Sequence, residues 1–535
     1  MKRIGISVSV LVLALFLAAP AIAGPGTVEV TVPGDISLRM GAQVRIIPTA
    51  EVDRDFGLSD DLTSAQELTA ARALAPMACL GDSPKSHLTE GAGAVKDSYI
   101  RGEHRLFFNF AHEQDWDVYF MLEVDTLFQS HTADRTDFAW GRQTQQFGVE
   151  RLNASFNLPA INSRLWGGWD ARGVDIGYGG FLYADDDPGL GLKGAADNWM
   201  WEAVWIKKIE DESGYADEKF LGVEINPLGA PDQGQDQDRD FYYGKLGYDF
   251  GDSKVLEGFG MYHRNRVGGN DVDHYVFGLQ GKCTQGRLNP MFEVAYATGD
   301  FDRADGLEAD IDSMAAFGDV AIDLSDTVGL KKFEAHVGGY WLSGDDDPAD
   351  DDLEGWTEVV GITRFSPRFG TEQGIAHDGN PLLGQIEYSF FPAYYGTQLW
   401  NGGGINGGAD YDNPGFIMLG GGVKAAWGKF GLKSNVMAMW FEAEESVEAF
   451  YERAAIGLTG VEIDEFMGVE WNNELSYKLY DQVTLKGGAS FLFPGDGAED
   501  ITQALDAYAR GVDFADGEAS DDVSMRFAAE LIWFF

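Results

Sequence analysis

The chain ends Val523-Ser524-Met525-Arg526-Phe527-Ala528-Ala529-Glu530-Leu531-Ile532-Trp533-Phe534-Phe535, and the reading of this stretch decides the fold. Every odd position is apolar, whereas Ser524, Arg526 and Glu530 fall on the even side. Side chains alternate across a β-strand, so the segment has one apolar face and one mixed face, and it stops on an aromatic residue. In a soluble sandwich that aromatic end would meet water. In a bilayer the apolar face suits hydrocarbon and the aromatic end suits the interface. The terminal segment therefore predicts a strand of a lipid-facing sheet, and the rest of the chain must supply its neighbours.

The opposite end reads as an export signal. Met1-Lys2-Arg3 is basic, Ile4 to Leu17 is mostly apolar, and Ala21-Ile22-Ala23 before Gly24 is a small-x-small cleavage site. Residues 1–23 are expected to leave as a signal peptide cut after Ala23, 24–35 to form a periplasmic leader, and 36–535 to form the folded body. Loss of Lys2 and Arg3 moves the net charge from −48 to −50. No later stretch offers the roughly 20 apolar residues a spanning helix needs, so an exported chain of this size is soluble or a barrel. With 69 Gly, 14 Trp, 20 Tyr and 35 Phe, the composition favours tight turns and interfacial aromatics. Those tryptophans could also line a soluble sugar-binding groove. The acid excess excludes a nucleic-acid partner, which needs clustered Lys and Arg. Cys79 and Cys283 have neither haem nor zinc spacing; an oxidising compartment permits a bridge between them, and two free thiols fit equally.

Alternation recurs along the chain. Ile36 to Ile47 reads as a first strand, followed by a long excursion at 48–97, helix-compatible from Ser64 to Leu74, that plugs the lumen or covers a rim. Tyr99 to Phe110 and Trp116 to Phe128 form a hairpin, the second placing Val118, Phe120, Leu122 and Val124 against Asp117, Glu123 and Asp125. Further strands are expected through Ser313 to Asp323, Leu330 to Leu342, Gly384 to Phe391, Tyr394 to Trp400, and on to the terminal strand. Connections alternate in length: Phe250 to Ser253 is short, whereas Glu210 to Arg239, Gly299 to Asp312 and Gly344 to Leu383 are long. Twenty candidates reduce to an expected fold of about 18 strands (16–20): an all-β, closed antiparallel transmembrane barrel with short periplasmic turns and long acidic extracellular loops. Closure leaves no unpaired edge in lipid.

Alternation also points Arg101, Glu103, Arg105, Asp117, Glu123, Asp125, Arg151, Glu334, Lys486 and Arg526 into the lumen. A wall of mixed sign suits a water-filled diffusion pore. The loop at 344–383 carries Trp356, Val359, Phe365 and Phe369, which need shelter; folded inward, it would bring Arg364 and Arg368 into the path as a constriction. Asp-Asp-Asp-Pro occurs at Asp185–Pro188 and at Asp345–Pro348, and Asp345, Asp346, Asp347 and Asp350 offer oxygens for calcium without the register of an EF-hand loop. No other cofactor is implied. The absence of Gly-x-Ser-x-Gly and His-Glu-x-x-His argues against an enzyme.

Tyr340-Trp341-Leu342-Ser343-Gly344-Asp345-Asp346-Asp347-Pro348, Trp140-Gly141-Arg142-Gln143, Leu475-Ser476-Tyr477-Lys478 with Phe493-Pro494-Gly495-Asp496, and the aromatic C-terminus resemble segments of alginate-export-type outer-membrane barrels and of the homotrimeric porins of sulfate-reducing bacteria. The resemblance implies a monomeric or trimeric channel in the outer membrane of a Gram-negative bacterium, passing small hydrophilic solutes or ions. Its partners would be outer-membrane lipid and the barrel assembly machinery. Two other readings stand beside it: a barrel sheath for an export or electron-transfer partner, and a surface glycan-binding protein.

Overall fold

The computed structural model describes residues 28–32, 35–63, 65–67, 69–70, 97–113, 115–128, 139–140, 148–209, 219–220, 223–224, 238–251, 253–266, 270–303, 306–357, 366–371, 373–378, 380, 382–383, 411–453 and 456–535. Eighteen strands form the wall: β1 Ile36–Val52, β2 Asp97–His112, β3 Trp116–Phe128, β4 Gly148–Leu158, β5 Ser163–Gly173, β6 Ala184–Ala196, β7 Trp199–Ile209, β8 Arg239–Gly251, β9 Lys254–Asn265, β10 Asp271–Lys282, β11 Leu288–Asp302, β12 Glu308–Asp323, β13 Lys332–Leu342, β14 Phe416–Trp427, β15 Phe430–Trp440, β16 Phe466–Lys478, β17 Val483–Pro494 and β18 Ser524–Phe534. Each is antiparallel to its neighbours in sequence, and β18 pairs back with β1, from Gln43 opposite Phe534 to Val52 opposite Met525. The expected closed barrel is present.

Period-two patterning builds each wall strand. On β12, Ala309, Ile311, Ser313, Ala315, Phe317, Asp319 and Ala321 are buried, while Met314, Val320 and Ile322 face out. The terminal strand obeys the same rule: Ser524, Arg526, Ala528, Glu530 and Ile532 face in, and Phe527, Trp533 and Phe535 face out. The outer surface is apolar at mid-height, with Val337 66% and Leu419 62% exposed. Aromatics ring both rims. Trp199, Trp427, Phe430 and Trp533 lie at the short-turn end, and Trp205, Tyr242, Tyr275 and Trp341 at the other. Trp205, Tyr242, Tyr262 and Tyr275, on four successive strands, stack in one row with centroids 6.5, 5.9 and 4.8 Å apart. From Tyr242 to Phe250 the chain covers about 27 Å of strand, or roughly 21 Å of height at a tilt of about 40°. That height fits an apolar band of about 25 Å.

Connections at one end are tight. Glu113, Asn162, Asp197 and Ser253 take positive φ in these reversals, as do Gly286, Gly329 and Gly428. The other end holds the long connections, including two helices the alternation did not suggest, α1 Glu445–Glu452 and α2 Asp496–Arg510. The inner face of α2, with Ile501, Ala504 and Leu505 fully buried, joins the main apolar core.

Several expected boundaries move. The first strand runs to Val52, so the excursion begins at Asp53; Pro48 sits where β1 has no partner on β18, which suits its missing N–H. Of the helix expected from Ser64, residues 65–67 and 69–70 are helical and the remainder lies outside the described residues. The leader contains a short strand, Val28–Val32, paired with Ile36 to Met40. The expected loop from Gly299 to Asp312 shrinks to residues 303–307, because Phe301, Ala309 and Ile311 continue the alternation beneath Leu353 and Tyr411. Gly384 to Phe391 and Tyr394 to Trp400 lie outside the described residues; β13 pairs directly with β14, and the wall closes without them.

Phe535 anchors the seam. Its N–H donates to Ala42 O at 3.0 Å, and its carbonyl accepts from Ala42 N at 2.7 Å. Deletion of Phe535 is expected to lower the folded, membrane-inserted fraction, measured by heat-modifiable gel mobility. Val337→Arg is expected to destabilise the barrel by about 2–4 kcal/mol, the range for arginine facing lipid near the midplane, measured by urea-gradient unfolding in lipid vesicles.

Candidate functional site: a charged lumen narrowed by two loops

Inward positions on adjacent strands stand close enough for charges to meet across the ladder. From β16 to β7 they form a continuous belt of alternating sign. Lys486 lies 3.7 Å from Glu474 and 3.3 Å from Glu530. Glu530 meets Arg45 at 2.5 Å, and Arg45 also binds Glu103. Glu103 gathers Arg101 at 3.3 Å and Arg105 at 3.7 Å. Arg105 reaches Glu123 at 2.7 Å and Glu150 at 3.2 Å. Arg151 continues to Glu150 at 3.6 Å and Asp186 at 3.3 Å, and Arg172 meets Asp170 at 3.0 Å. Lys208 closes the series on Asp185 and Asp187.

Arg101, Glu103, Arg105, Glu123, Arg151 and Lys486 are brought together in the belt. Asp117 sits lower, held by Ser155 and Arg164. Glu334 is on the opposite wall, 3.9 Å from Lys332, and Arg526 pairs with Glu51 across the seam. Asp125 lies on β3, with its side chain outside the described residues. Several participants were missed, among them Asp170, Arg172, Asp185 and Lys208. Arg45 and Glu51 follow the same alternation on the part of β1 around and beyond the proline. Glu150 reaches the lumen through a register shift at Met121 and Leu122, which lets consecutive Glu150 and Arg151 both join the network. Asp186 and Asp187 belong to the first Asp-Asp-Asp-Pro run, which lies in β6 and meets Arg151 and Lys208.

The other wall, from β8 to β15, is covered by two inward loops. In residues 174–183, Gly179 N donates to Glu293 at 2.8 Å, Tyr178 donates to Glu257 at 3.0 Å, and the Tyr340 hydroxyl donates to Gly179 O at 2.7 Å. The connection after β13 docks beside it. Trp356, 1% exposed, donates to Phe181 O at 3.3 Å and stands edge-on to the Phe181 ring at 5.6 Å. Arg368 binds the buried Asp319 carboxylate and donates to Asn289 O at 2.6 Å. His336 holds the other Asp319 oxygen at 2.7 Å and faces Asn435 at 3.1 Å, while Asn435 donates to Phe369 O at 2.6 Å. Glu470 accepts from Ile375 N at 3.0 Å and Ala376 N at 2.7 Å. Arg526 reaches Gln373 at 3.5 Å, so the loop spans toward the belt. Arg364 lies outside the described residues.

The calcium expectation is not supported by geometry. Asp345 is 1% exposed, accepts from Asp347 N at 3.2 Å, and has its carboxyl pushed up to about 8, first by burial and then by Asp412. Asp346, Asp347 and Asp350 do not converge on it. Among the described residues, the group of three carboxylates whose oxygens all lie within 4.8 Å of one another is Asp53, Asp60 and Asp522, beside the seam. Cys283 is a free thiol in a turn, and Cys79 lies outside the described residues.

No family model matches the chain, and no curated protein matches it. Among solved structures it is similar to OpdO of Pseudomonas aeruginosa (10% identity over 93% of this chain and 97% of that chain, TM-score 0.47). It is also similar to a BenF-like porin from Pseudomonas fluorescens Pf-5 (10%, 93% and 98%, 0.46) and to Pseudomonas aeruginosa OccD3, also called OpdP (9%, 97% and 96%, 0.46).

Arg368→Met removes one of the two groups that hold the buried Asp319. It is expected to cost about 3 kcal/mol, the low end for opening a buried pair because His336 remains, and to expose residues 366–376 to limited proteolysis in the folded barrel.

Proposed function

We propose that the chain is an outer-membrane porin, a water-filled channel for passive diffusion of small hydrophilic solutes or ions. One observation carries this reading: inside a closed barrel, three cations of the belt keep contact with solvent. Arg101 retains 26%, Arg105 25% and Lys486 23% of side-chain exposure. A filled interior would bury them, at several kcal/mol per ion. The space beside the belt therefore holds water, and a solute crossing it exchanges hydration for fixed charges of both signs. The belt residues and Arg526 line the path, and residues 174–183 with Arg368 and its neighbours narrow it from the opposite wall. No step of covalent chemistry enters.

The reading carries a location, the outer membrane of a Gram-negative bacterium after removal of residues 1–23, and contacts with membrane lipid and the barrel assembly machinery. A homotrimer would follow the sulfate-reducer porins that the sequence resembles. The balanced belt favours small solutes over the polyanion that alginate-export-type barrels carry.

Single-channel recording in planar bilayers tests the proposal. Folded, heat-modifiable protein is expected to give discrete current steps, and its failure to do so would overturn the channel. Excision of residues 366–376 is expected to raise the unit conductance. A folded variant with unchanged conductance would place the loop outside the path.

A further inference from the structure

The outer wall is recessed toward its short-turn end. A groove of about 630 Å³ crosses β9 to β13, and its lining includes Lys254, Leu256, Phe292, Gly318, Val320 and Val337. The exposed Leu256, Phe292, Val320 and Val337 place it on the lipid side of the wall. Strand register sets its course. Pro290 pairs with Val320 and Val320 with Val337, so the groove follows one outward row from strand to strand. That row starts at the rim and climbs. Lys254 opens β9 and Cys283 lies in the turn after β10, whereas Val337 stands five residues inside β13 from Lys332. At a tilt of about 40° those residues lift Val337 about 13 Å above the turns.

Gly318 opens the recess. A Cβ built there meets no heavy atom within 4 Å, because Phe292, which pairs with it, leans the other way: the Phe292 ring lies 2.7 Å from where a Cβ would stand on Gly281. A gap in a wall of leucine, valine and aromatic side chains forfeits dispersion contacts unless hydrocarbon enters it. Lys254 stands at the low end of the same groove and, among the described residues, makes no ion pair. The cations near the opposite rim differ in this respect, since Lys207, Arg264 and Arg266 all meet carboxylates. A lysine in this position lays its stem on apolar surface and holds its ammonium at headgroup level.

We infer that the groove seats one phospholipid of the leaflet on the short-turn side, with its phosphate on Lys254 and one acyl chain laid along the recess toward Val337. The apolar recess takes hydrocarbon, and the unpaired cation takes phosphate. The climb from rim to mid-height presents the two in the order in which a phospholipid carries them. The inference goes beyond the channel reading: it needs the barrel to sit in a bilayer, not to conduct.

The test weighs the folded barrel intact by native mass spectrometry after extraction from phosphatidylglycerol vesicles into mild detergent. One phosphatidylglycerol per chain is expected to survive detergent exchange, whereas diacylglycerol of the same chains, lacking the phosphate, is expected to wash off. Gly318→Leu fills the recess and Lys254→Gln removes the cation, and each is expected to lower the retained fraction several-fold. Gly487→Leu, on the outward face of β17 beside the exposed Leu475, where a Cβ also meets nothing, is expected to leave it unchanged. Equal retention of the two lipids by the unaltered chain removes Lys254 from the seat, and equal retention by the unaltered and Gly318→Leu chains removes the recess; either result overturns the inference. Oligomers that carry no lipid and that Gly318→Leu dissociates would overturn it as well, by showing a second copy of the chain on this face. Single-channel currents test the channel separately and are untouched by any of these outcomes.

Discussion

The architecture depends on the pairing of β1 with β18. Every other neighbouring pair in the wall is formed by strands consecutive in the ring's sequence order, whereas this one joins the two ends of the body, with Gln43 opposite Phe534 and Val52 opposite Met525. In hydrocarbon an open edge would leave backbone N–H and C=O groups without partners, at several kcal/mol each. Closure therefore decides between a stable wall and none. On the lumen side the seam is crossed by Arg45 to Glu530 and by Arg526 to Glu51. These pairs are almost fully buried, so their value lies partly in register: a one-residue slip of β18 would turn Arg526 and Glu530 toward lipid.

Two solutions for an inward polar face coexist in the barrel. From β16 to β7, charge answers charge. From β8 to β15, loop backbone and aromatic rings cover the wall, and polar wall groups become anchors: Glu293 holds Gly179, Glu470 holds Ile375 and Ala376, and Asp319 holds Arg368. A carboxylate facing two backbone N–H groups, as Glu470 does, is held by the loop without needing a cation on that loop.

The wall itself was legible because alternation repeats at every strand, and the parity read on Ser524 to Phe535 is the parity found. Boundaries failed where a local signal contradicted the pattern. Pro48 suggested a strand end, although the proline needs only a gap in one ladder, and that error hid Glu51. The run Asp185 to Asp187 carries no sign of its lumen role in the sequence, because the lysine and arginine that pair with it, Lys208 and Arg151, are elsewhere in the chain. Glu150 could not be found by parity, since a bulge breaks parity. The partner of Arg368 is Asp319, 49 residues earlier, and period-two reasoning gives no information about which wall a loop will lean on. Of the apolar residues in that connection with no strand to join, Trp356 and Phe369 are fully buried.

Gly41 gives the seam one further property. A Cβ placed there would stand 2.6 Å from the Phe107 ring and 2.7 Å from Phe535 O, so the end of the chain occupies a notch that a side chain would close. Just beyond the notch, the same edge of β1 is taken by Val28–Val32, which pairs with Ile36 to Met40. The backbone of Phe535 thus lies between a missing side chain and the short strand Val28–Val32, while its ring faces out. Any polypeptide fused after Phe535 would have to displace that hairpin or leave the sheet at once, which makes the carboxyl terminus a poor place for an affinity tag and the long acidic connections a better one.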